Sequence, residues 1–395
     1  MTRIFYISQI NLLSSRTNAH NLAKTCEALN DRDGFQVSLI TTDQEHGRDS
    51  FFKKLGVERP YEVVSLGVTD SFSRQSSSML GTIFRLLCVN ARVAYFLFRS
   101  RREFDIIYYR DDLLFFSALF SKLFLGKKLF FETHAVLSNK HRQFMNVSAV
   151  RSASGVIAIS SGLKEYYQKL NGNIIVSLCS AADKSWFDAS ADQQTLRLTL
   201  GIPSDKFIIG YVGVVGANPN NDYYEIDDIV LSLVYLPSDI LLFIGGELGN
   251  NADWLRKVAE ENNVRDRVTI LPWLERDAVP NYLQAFDVNL IPRRKKDLIG
   301  DSPAKMFPAL ESGRAIVAGR SESIKEVLTD GRDALVVRDN TPQGWAEAIL
   351  KVYHDGELAR RLSSQAKITS RVYTWEKRGI AIAGFIKQTL NASKI

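Results

Sequence analysis

The stretch Asp301-Ser302-Pro303-Ala304-Lys305 sets a cation beside the start of a helix running through Glu311. Ser302 suits a helix N-cap, and Pro303 the first helical position, where a missing N–H costs nothing. Gly313 is placed to close the helix, and Arg314–Ala318 begins a buried strand. The first turn of a helix carries unpaired backbone N–H groups and partial positive charge. With the ammonium of Lys305 within one turn, the segment suits a phosphate. Arg293-Arg294-Lys295-Lys296 adds four like charges after the strand that ends at Ile291-Pro292; a solvated charge run fits them equally well. His134, in Phe131-Glu132-Thr133-His134, sits at the carboxyl end of another strand, where ligands of parallel sheets bind. Glu132 is expected to be structural. The first loop carries Arg16, Asn18 and His20; Arg16 could reach a phosphate or an acidic acceptor, or be a plain surface arginine.

The elements that must position these residues alternate along the chain. The first half predicts strands at Arg3–Ile7, Gln36–Thr41, Glu62–Leu66, Asp105–Tyr109, Lys128–Glu132 and Val156–Ile159, with helices such as Asn18–Asn30 and Leu113–Leu125 between them. The second half repeats the order, with strands at Phe207–Val212, Ile240–Ile244, Val268–Leu271, Val288–Ile291, Ala315–Ala318 and Ala334–Val337. This βαβα order predicts two Rossmann-like α/β domains, each a parallel sheet covered on both faces. A polar stretch around Asp183–Ser204 marks the change of domain, giving domains at 1–190 and 191–372 and a C-terminal helix at 373–395.

Composition agrees. An apolar content of 45% and a charged content of 24% in 395 residues are those of a globular chain of two domains. Cys26, Cys88 and Cys179 match no zinc or redox spacing and suit a reducing compartment. Met1–Ile7 is too short and too quickly polar for a signal peptide. A net charge of +6 favours anionic partners. From Ser71 to Arg102 there are six arginines and no acid, but no nucleic-acid-binding signature accompanies them. Met79–Arg101 is apolar with arginines at 85, 92 and 99, near one helical face. An interfacial helix and a core helix with a basic edge both fit; a membrane-spanning helix does not. Asp31-Arg32-Asp33, a string that could hold a metal, falls just before Gly34 and reads as a turn.

The Ser302–Gly313 segment resembles the donor-binding segment of glycosyltransferase family 4, which commonly reads Ser-Pro-x-Lys-x-Phe-Glu-x-x-Ala-x-Gly. Tyr282-Leu283-Gln284-Ala285-Phe286-Asp287-Val288, Ile159-Ser160-Ser161-Gly162-Leu163 and Ala182-Asp183 through Phe187 are similar to further pieces of that family in the same order. No Gly-x-Gly-x-x-Gly follows the first strand, which argues against a dehydrogenase. The resemblance implies the GT-B fold, two domains facing a cleft with the C-terminal helix packed back on the first. It implies a retaining glycosyltransferase that moves a sugar from a nucleotide-sugar to a hydroxyl of a glycan or lipid-linked glycan. No metal or cofactor is expected, the setting is cytoplasmic or the inner face of a membrane, and polysaccharide or surface-glycan assembly is the expected pathway. His134 and Lys305 become the expected catalytic residues. Arg293, Arg294, Asp301, Ser302, Pro303, Ala304 and Glu311 become donor-binding residues, with Gly246 and Trp273 near the base by position. Arg16, Asn18 and His20 fall on the acceptor side.

Two departures count against this. Gly300 and Pro308 stand where many members carry a pair of glutamates, and Pro308 is expected to kink the helix. Glu311, one turn on, is placed to take over. The loop from Val214 to Asp222 lacks the usual Arg and Lys, at about 1.5–3 kcal/mol per lost charged contact. A catalytically degenerate member that binds a partner enzyme or glycan is the alternative these departures motivate.

Overall fold

The computed structural model describes residues 1–11, 17–32, 34–43, 48–68, 79–178, 180–187, 192–218, 222–223, 225–246, 248, 251–293, 299–300 and 304–392. The chain divides into two compact units, Met1–Cys179 with Trp375–Ile395, and Ser180–Thr374. The division thus falls at 179/180 and 374/375, where the sequence placed it at 190/191 and 372/373. Residues 180–187 stay with the second unit because the Ala182 N–H donates to the Tyr373 carbonyl (2.7 Å) and Arg276 stacks over the Trp186 ring.

The first unit runs β1 (Thr2–Ser8), α1 (Thr17–Leu29), β2 (Phe35–Thr41), α2 (Arg48–Lys54), β3 (Glu62–Ser65), α3 (Met79–Arg99), β4 (Ile106–Tyr109), α4 (Phe115–Leu125), β5 (Lys128–Thr133), α5 (Lys140–Ser152), β6 (Gly155–Ala158), α6 (Ser161–Tyr167) and β7 (Ile174–Val176). Its parallel sheet has the order β3-β2-β1-β4-β5-β6-β7. Strand alternation sorts the core. Ile4 and Tyr6 of β1 join one apolar cluster with Leu22 and Cys26 of α1, while Phe5 and Ile7 join another with Val93 and Leu97 of α3.

The second unit runs α7 (Gln193–Leu200), β8 (Phe207–Val212), the short antiparallel pair β9 (Gly216–Asn218) and β10 (Asp222–Tyr223), α8 (Ile226–Ser232), β11 (Ile240–Gly245), α9 (Asn251–Glu261), β12 (Val268–Ile270), α10 (Val279–Ala285), β13 (Val288–Ile291), α11 (Met306–Glu311), β14 (Ala315–Ala318), α12 (Glu322–Lys325), β15 (Leu335–Val336), α13 (Pro342–His354) and α14 (Gly356–Ser370). Its parallel sheet has the order β12-β11-β8-β13-β14-β15.

The last helix, α15 (Trp375–Ala392), returns to the first unit and packs on α1. Ile382, Phe385 and Ile386 enter the cluster around Ile4 and Tyr6. A polar anchor sits beside this apolar seam. Buried Arg378 donates to the Glu132 carboxylate (2.7 Å), to the carbonyls of Ser177 and Leu178, and to Thr25 Oγ1 (3.2 Å).

Candidate functional site

In a doubly wound sheet, ligands bind outside the carboxyl ends of the strands where the strand order reverses. In the second unit that point lies between β8 and β13. The chain after β13 brings Lys305 across it to β8, where Nζ donates to the Tyr211 hydroxyl at 2.6 Å and lies 4.7 Å from the ring centroid. The Tyr211 hydroxyl in turn donates to the Val214 carbonyl (2.5 Å), so its oxygen is turned to accept from Lys305. Tyr211 is buried; its ring and its lone pair hold the ammonium together.

Two glycines border this lysine. The Gly213 N–H continues the ladder to the Gly245 carbonyl (2.9 Å), and Gly246 turns away with φ +114°. A Cβ on Gly246 would lie 2.3 Å from the Gly213 carbonyl oxygen, and one on Gly213 would meet the Tyr211 hydroxyl at 2.7 Å and Lys305 Cε at 3.4 Å. Only glycines let these backbones touch beside the ammonium. Gly246→Ala is therefore expected to destabilise the second unit by at least about 1–3 kcal/mol, read by thermal unfolding.

The helix after Lys305 starts later than the sequence reading. α11 begins at Met306, with Lys305 in the cap position and no side-chain cap. Pro308 supplies the reason: it has no N–H for the Ala304 carbonyl, so among the described residues the α-helical bonds start with Ala309 N–H to the Lys305 carbonyl (3.3 Å). Pro308 then occupies the third helical position, where no intrahelical donor is needed and no kink follows. Ala304 instead accepts from the Phe307 N–H at 3.4 Å.

The other expected donor residues spread out. Glu311 ends α11 and accepts from the Ser370 hydroxyl of α14 (2.6 Å), which gives it a role in packing. Arg293 pairs with buried Glu225 (2.9 Å), whose N–H donates to the Arg293 carbonyl, so its charge is already balanced. Trp273 lies exposed in the loop after β12. Asp301, Ser302, Pro303, Arg294 and Arg16 lie outside the described residues, as do Lys295 and Lys296.

In the first unit the strand order reverses between β1 and β4. Asp111, just past β4, ties the two ends by accepting from Ser8 Oγ (2.7 Å) and the Gln9 N–H (2.8 Å). His134 follows β5, and its Nε2 lies 2.8 Å from Glu132 Oε1. Burial alone would raise the Glu132 carboxyl. Arg378, the His134 hydrogen bond and Arg110 reverse this and hold it well below the usual carboxylate range. Burial and then Arg110 push the His134 imidazole down, against the opposing pull of Glu132. Glu132 is thus an acceptor only, and a neutral His134 must give it the Nε2 proton. Nδ1 keeps its lone pair.

Asn18 is exposed near the start of α1, its carbonyl 3.5 Å from Arg110. His20 bonds the Leu55 carbonyl through Nδ1 (3.0 Å) and meets Trp375 edge-on, a packing position. Asp31 lies in the turn after α1 with φ +56°. Among the described residues no group of three His, Cys, Asp or Glu is placed to hold a metal ion. Sequence reasoning missed Tyr211, Arg110 and Arg378, and left Glu132 as merely structural. Tyr211 and Arg110 carry one usable signal, a polar residue at the carboxyl end of a strand beside the reversal.

The comparisons with known proteins bear on the fold and the class. A family model described as "Glycosyl transferases group 1" matches residues 192–369, most of the second unit. The chain is 28% identical over 198 residues to the D-inositol 3-phosphate glycosyltransferase of Xylanimonas cellulosilytica, covering 49% of this chain and 45% of that protein. It is 23% identical over 246 residues to the alpha-D-kanosaminyltransferase of Streptomyces kanamyceticus, covering 61% and 62%. It therefore spans less than two thirds of these curated relatives. Among solved structures, it matches Anabaena Alr3699/HepE in complex with UDP and glucose with a TM-score of 0.74 at 16% identity, over 98% of this chain and 100% of that one. It matches sucrose-phosphate synthase (tll1590) from Thermosynechococcus elongatus with a TM-score of 0.76 at 15% identity, over 99% and 100%. These likenesses show the fold, two parallel-sheet α/β domains of the GT-B kind, as the sequence implied.

Proposed function

We propose that the protein is a glycosyltransferase that uses a nucleotide-sugar donor, retains the anomeric configuration and needs no metal. The observation that carries this reading is the Lys305 ammonium fixed on Tyr211 across the strand reversal of the second unit, beside the Gly213–Gly246 contact. A nucleoside diphosphate needs a positioned cation and close backbone approach, and both are present. The relatives it matches are glycosyltransferases by their names, which supports the class.

In this reading the bond from the anomeric carbon to the diphosphate oxygen breaks, and the acceptor oxygen bonds to that carbon on the same face. The acceptor's proton passes to the departing diphosphate, whose growing charge Lys305 balances. In the first unit, His134 keeps an Nδ1 lone pair able to accept from a hydroxyl, held in that tautomer by Glu132. The acceptor is a hydroxyl of a glycan or lipid-linked glycan, the pathway surface-polysaccharide assembly and the setting cytoplasmic. At the third helical position Pro308 needs no N–H, so the expected kink no longer supports the degenerate alternative; the missing carboxylate at 308 still does.

Calorimetry with UDP, GDP and their common sugars, in EDTA, tests the reading. Saturable binding of one nucleotide series, followed by turnover of its sugar, is the expected result. Well-folded protein that binds none of the panel would remove the enzyme reading.

A further inference from the structure

The helix α3 has two apolar faces, one buried in the core and the other exposed. Val89, Val93 and Leu97 are buried in the core of the first unit. On the far side, Phe84, Leu87, Ala91, Tyr95 and Phe98 recur at intervals of three, four, four and three residues, which is one continuous stripe along a helix. They face outward: Phe84 and Leu87 are 58% exposed, Tyr95 60% and Phe98 46%. The stripe is about 20 Å long at 1.5 Å per residue. Arg85, Arg92 and Arg99 form a second row beside it, each one position further along than Phe84, Ala91 and Phe98.

The neighbouring helix extends the pattern. Buried Asn90 of α3 donates to the Leu113 carbonyl (2.8 Å) and accepts from the Ser117 N–H (2.9 Å), locking the start of α4 to α3. α4 then exposes Leu123 and Phe124, at 66% and 74%. Neither α3 nor α4 contains an acidic residue. Arg101 and Arg102 follow α3 and add to the charge, Arg101 lying over the Phe98 ring at 4.8 Å.

We propose that the outer faces of α3 and α4 form a docking surface for an anionic lipid bilayer, with α3 lying in the plane of the interface. Bulky apolar side chains on an outward stripe suit the acyl boundary, and a flanking arginine row suits phosphate headgroups. Charge selects this occupant. A second copy of the chain would set one arginine row against another with no acid on either helix to pair with it. No helix among the described residues is long and apolar enough to cross a membrane, so the contact is a surface one. The proposal does not depend on the glycosyltransferase reading, and each can fail alone.

Flotation of the full chain with vesicles of phosphatidylcholine alone, and of phosphatidylcholine mixed with phosphatidylglycerol, tests it. Binding is expected to the mixed vesicles and to weaken as salt rises. Arg85→Glu with Arg92→Glu is expected to lower partitioning at least about tenfold. Phe84→Ser with Leu87→Ser should lower it comparably, and both pairs should keep the wild-type circular dichroism and Tm because the residues are exposed. No binding, or equal binding to both vesicle types, would overturn the proposal. So would a dimer in light scattering that Phe84→Ser with Leu87→Ser breaks apart, which would assign the face to a second copy.

Discussion

Replacing Arg378 by leucine is expected to cost the first unit about 3–5 kcal/mol at neutral pH, measured by urea unfolding. The reason is the partner left behind. Glu132 is buried, and its carboxylate is kept ionised by Arg378, by the His134 bond and by the charge of Arg110. Without the guanidinium, burial dominates and the carboxyl rises. The sign of the pH dependence follows. In the wild type the folded pKa lies below the unfolded one, so its stabilisation is complete above about 4.3 and is lost as pH falls toward the folded value. In the variant the penalty is greatest when the orphaned carboxylate is charged and shrinks as acid protonates it. The gap between the two proteins should therefore narrow from about pH 7 to about pH 4. Glu132→Gln added to Arg378→Leu should recover part of the loss; the Ser177 and Leu178 carbonyls still lack their donor. A constant gap with no recovery would mean that the arginine stem acts by packing alone.

That anchor explains what a linear reading can and cannot see. The strands were legible because a parallel sheet buries both faces, so Phe207–Val212 and Ala315–Ala318 show as short apolar runs. β7, only Ile174–Val176 at the sheet edge, is too short to stand out from its polar flanks. The start of α11 was misplaced because Ser302-Pro303 is a good local signal for a helix start. The decisive fact was the missing N–H of Pro308 one turn later.

The site was half legible for a related reason. Lys305 and His134 could be singled out by position, since each follows a recognisable strand. Their partners could not be matched with them. Tyr211 is 94 residues from Lys305, and Arg378 is 246 residues from Glu132. No local period encodes such pairs; they follow from the strand order and from the return of α15. The basic run after Ile291 shows the opposite error. Arg293 looked available in sequence, but the fold spends its charge on Glu225, which sequence gave no cause to place there.

Lys305→Ala is expected to lower kcat about 10²–10³-fold, the cost of removing one preorganised group aimed at developing charge. The ground-state diphosphate already carries charge, so nucleotide affinity should fall as well, but by less than kcat. Graded variants separate position from charge. Tyr211→Phe keeps the ring under the ammonium and removes the oxygen that accepts from it, so it should cost about tenfold, near the worth of one hydrogen bond to a charged group. Lys305→Arg keeps the charge but not the fit. The planar guanidinium is bulkier than the ammonium and offers a rigid fork in place of a point charge to the Tyr211 oxygen and ring, so rescue should be partial. If Lys305→Ala leaves turnover intact while Tyr211→Phe lowers Tm, the pair is a structural clamp, and the diphosphate must be sought elsewhere along the carboxyl edge of β8 and β13. If kcat falls in the order Tyr211→Phe, Lys305→Arg, Lys305→Ala with folding unchanged, the cation acts on the leaving group, because a clamp has no cause to follow charge.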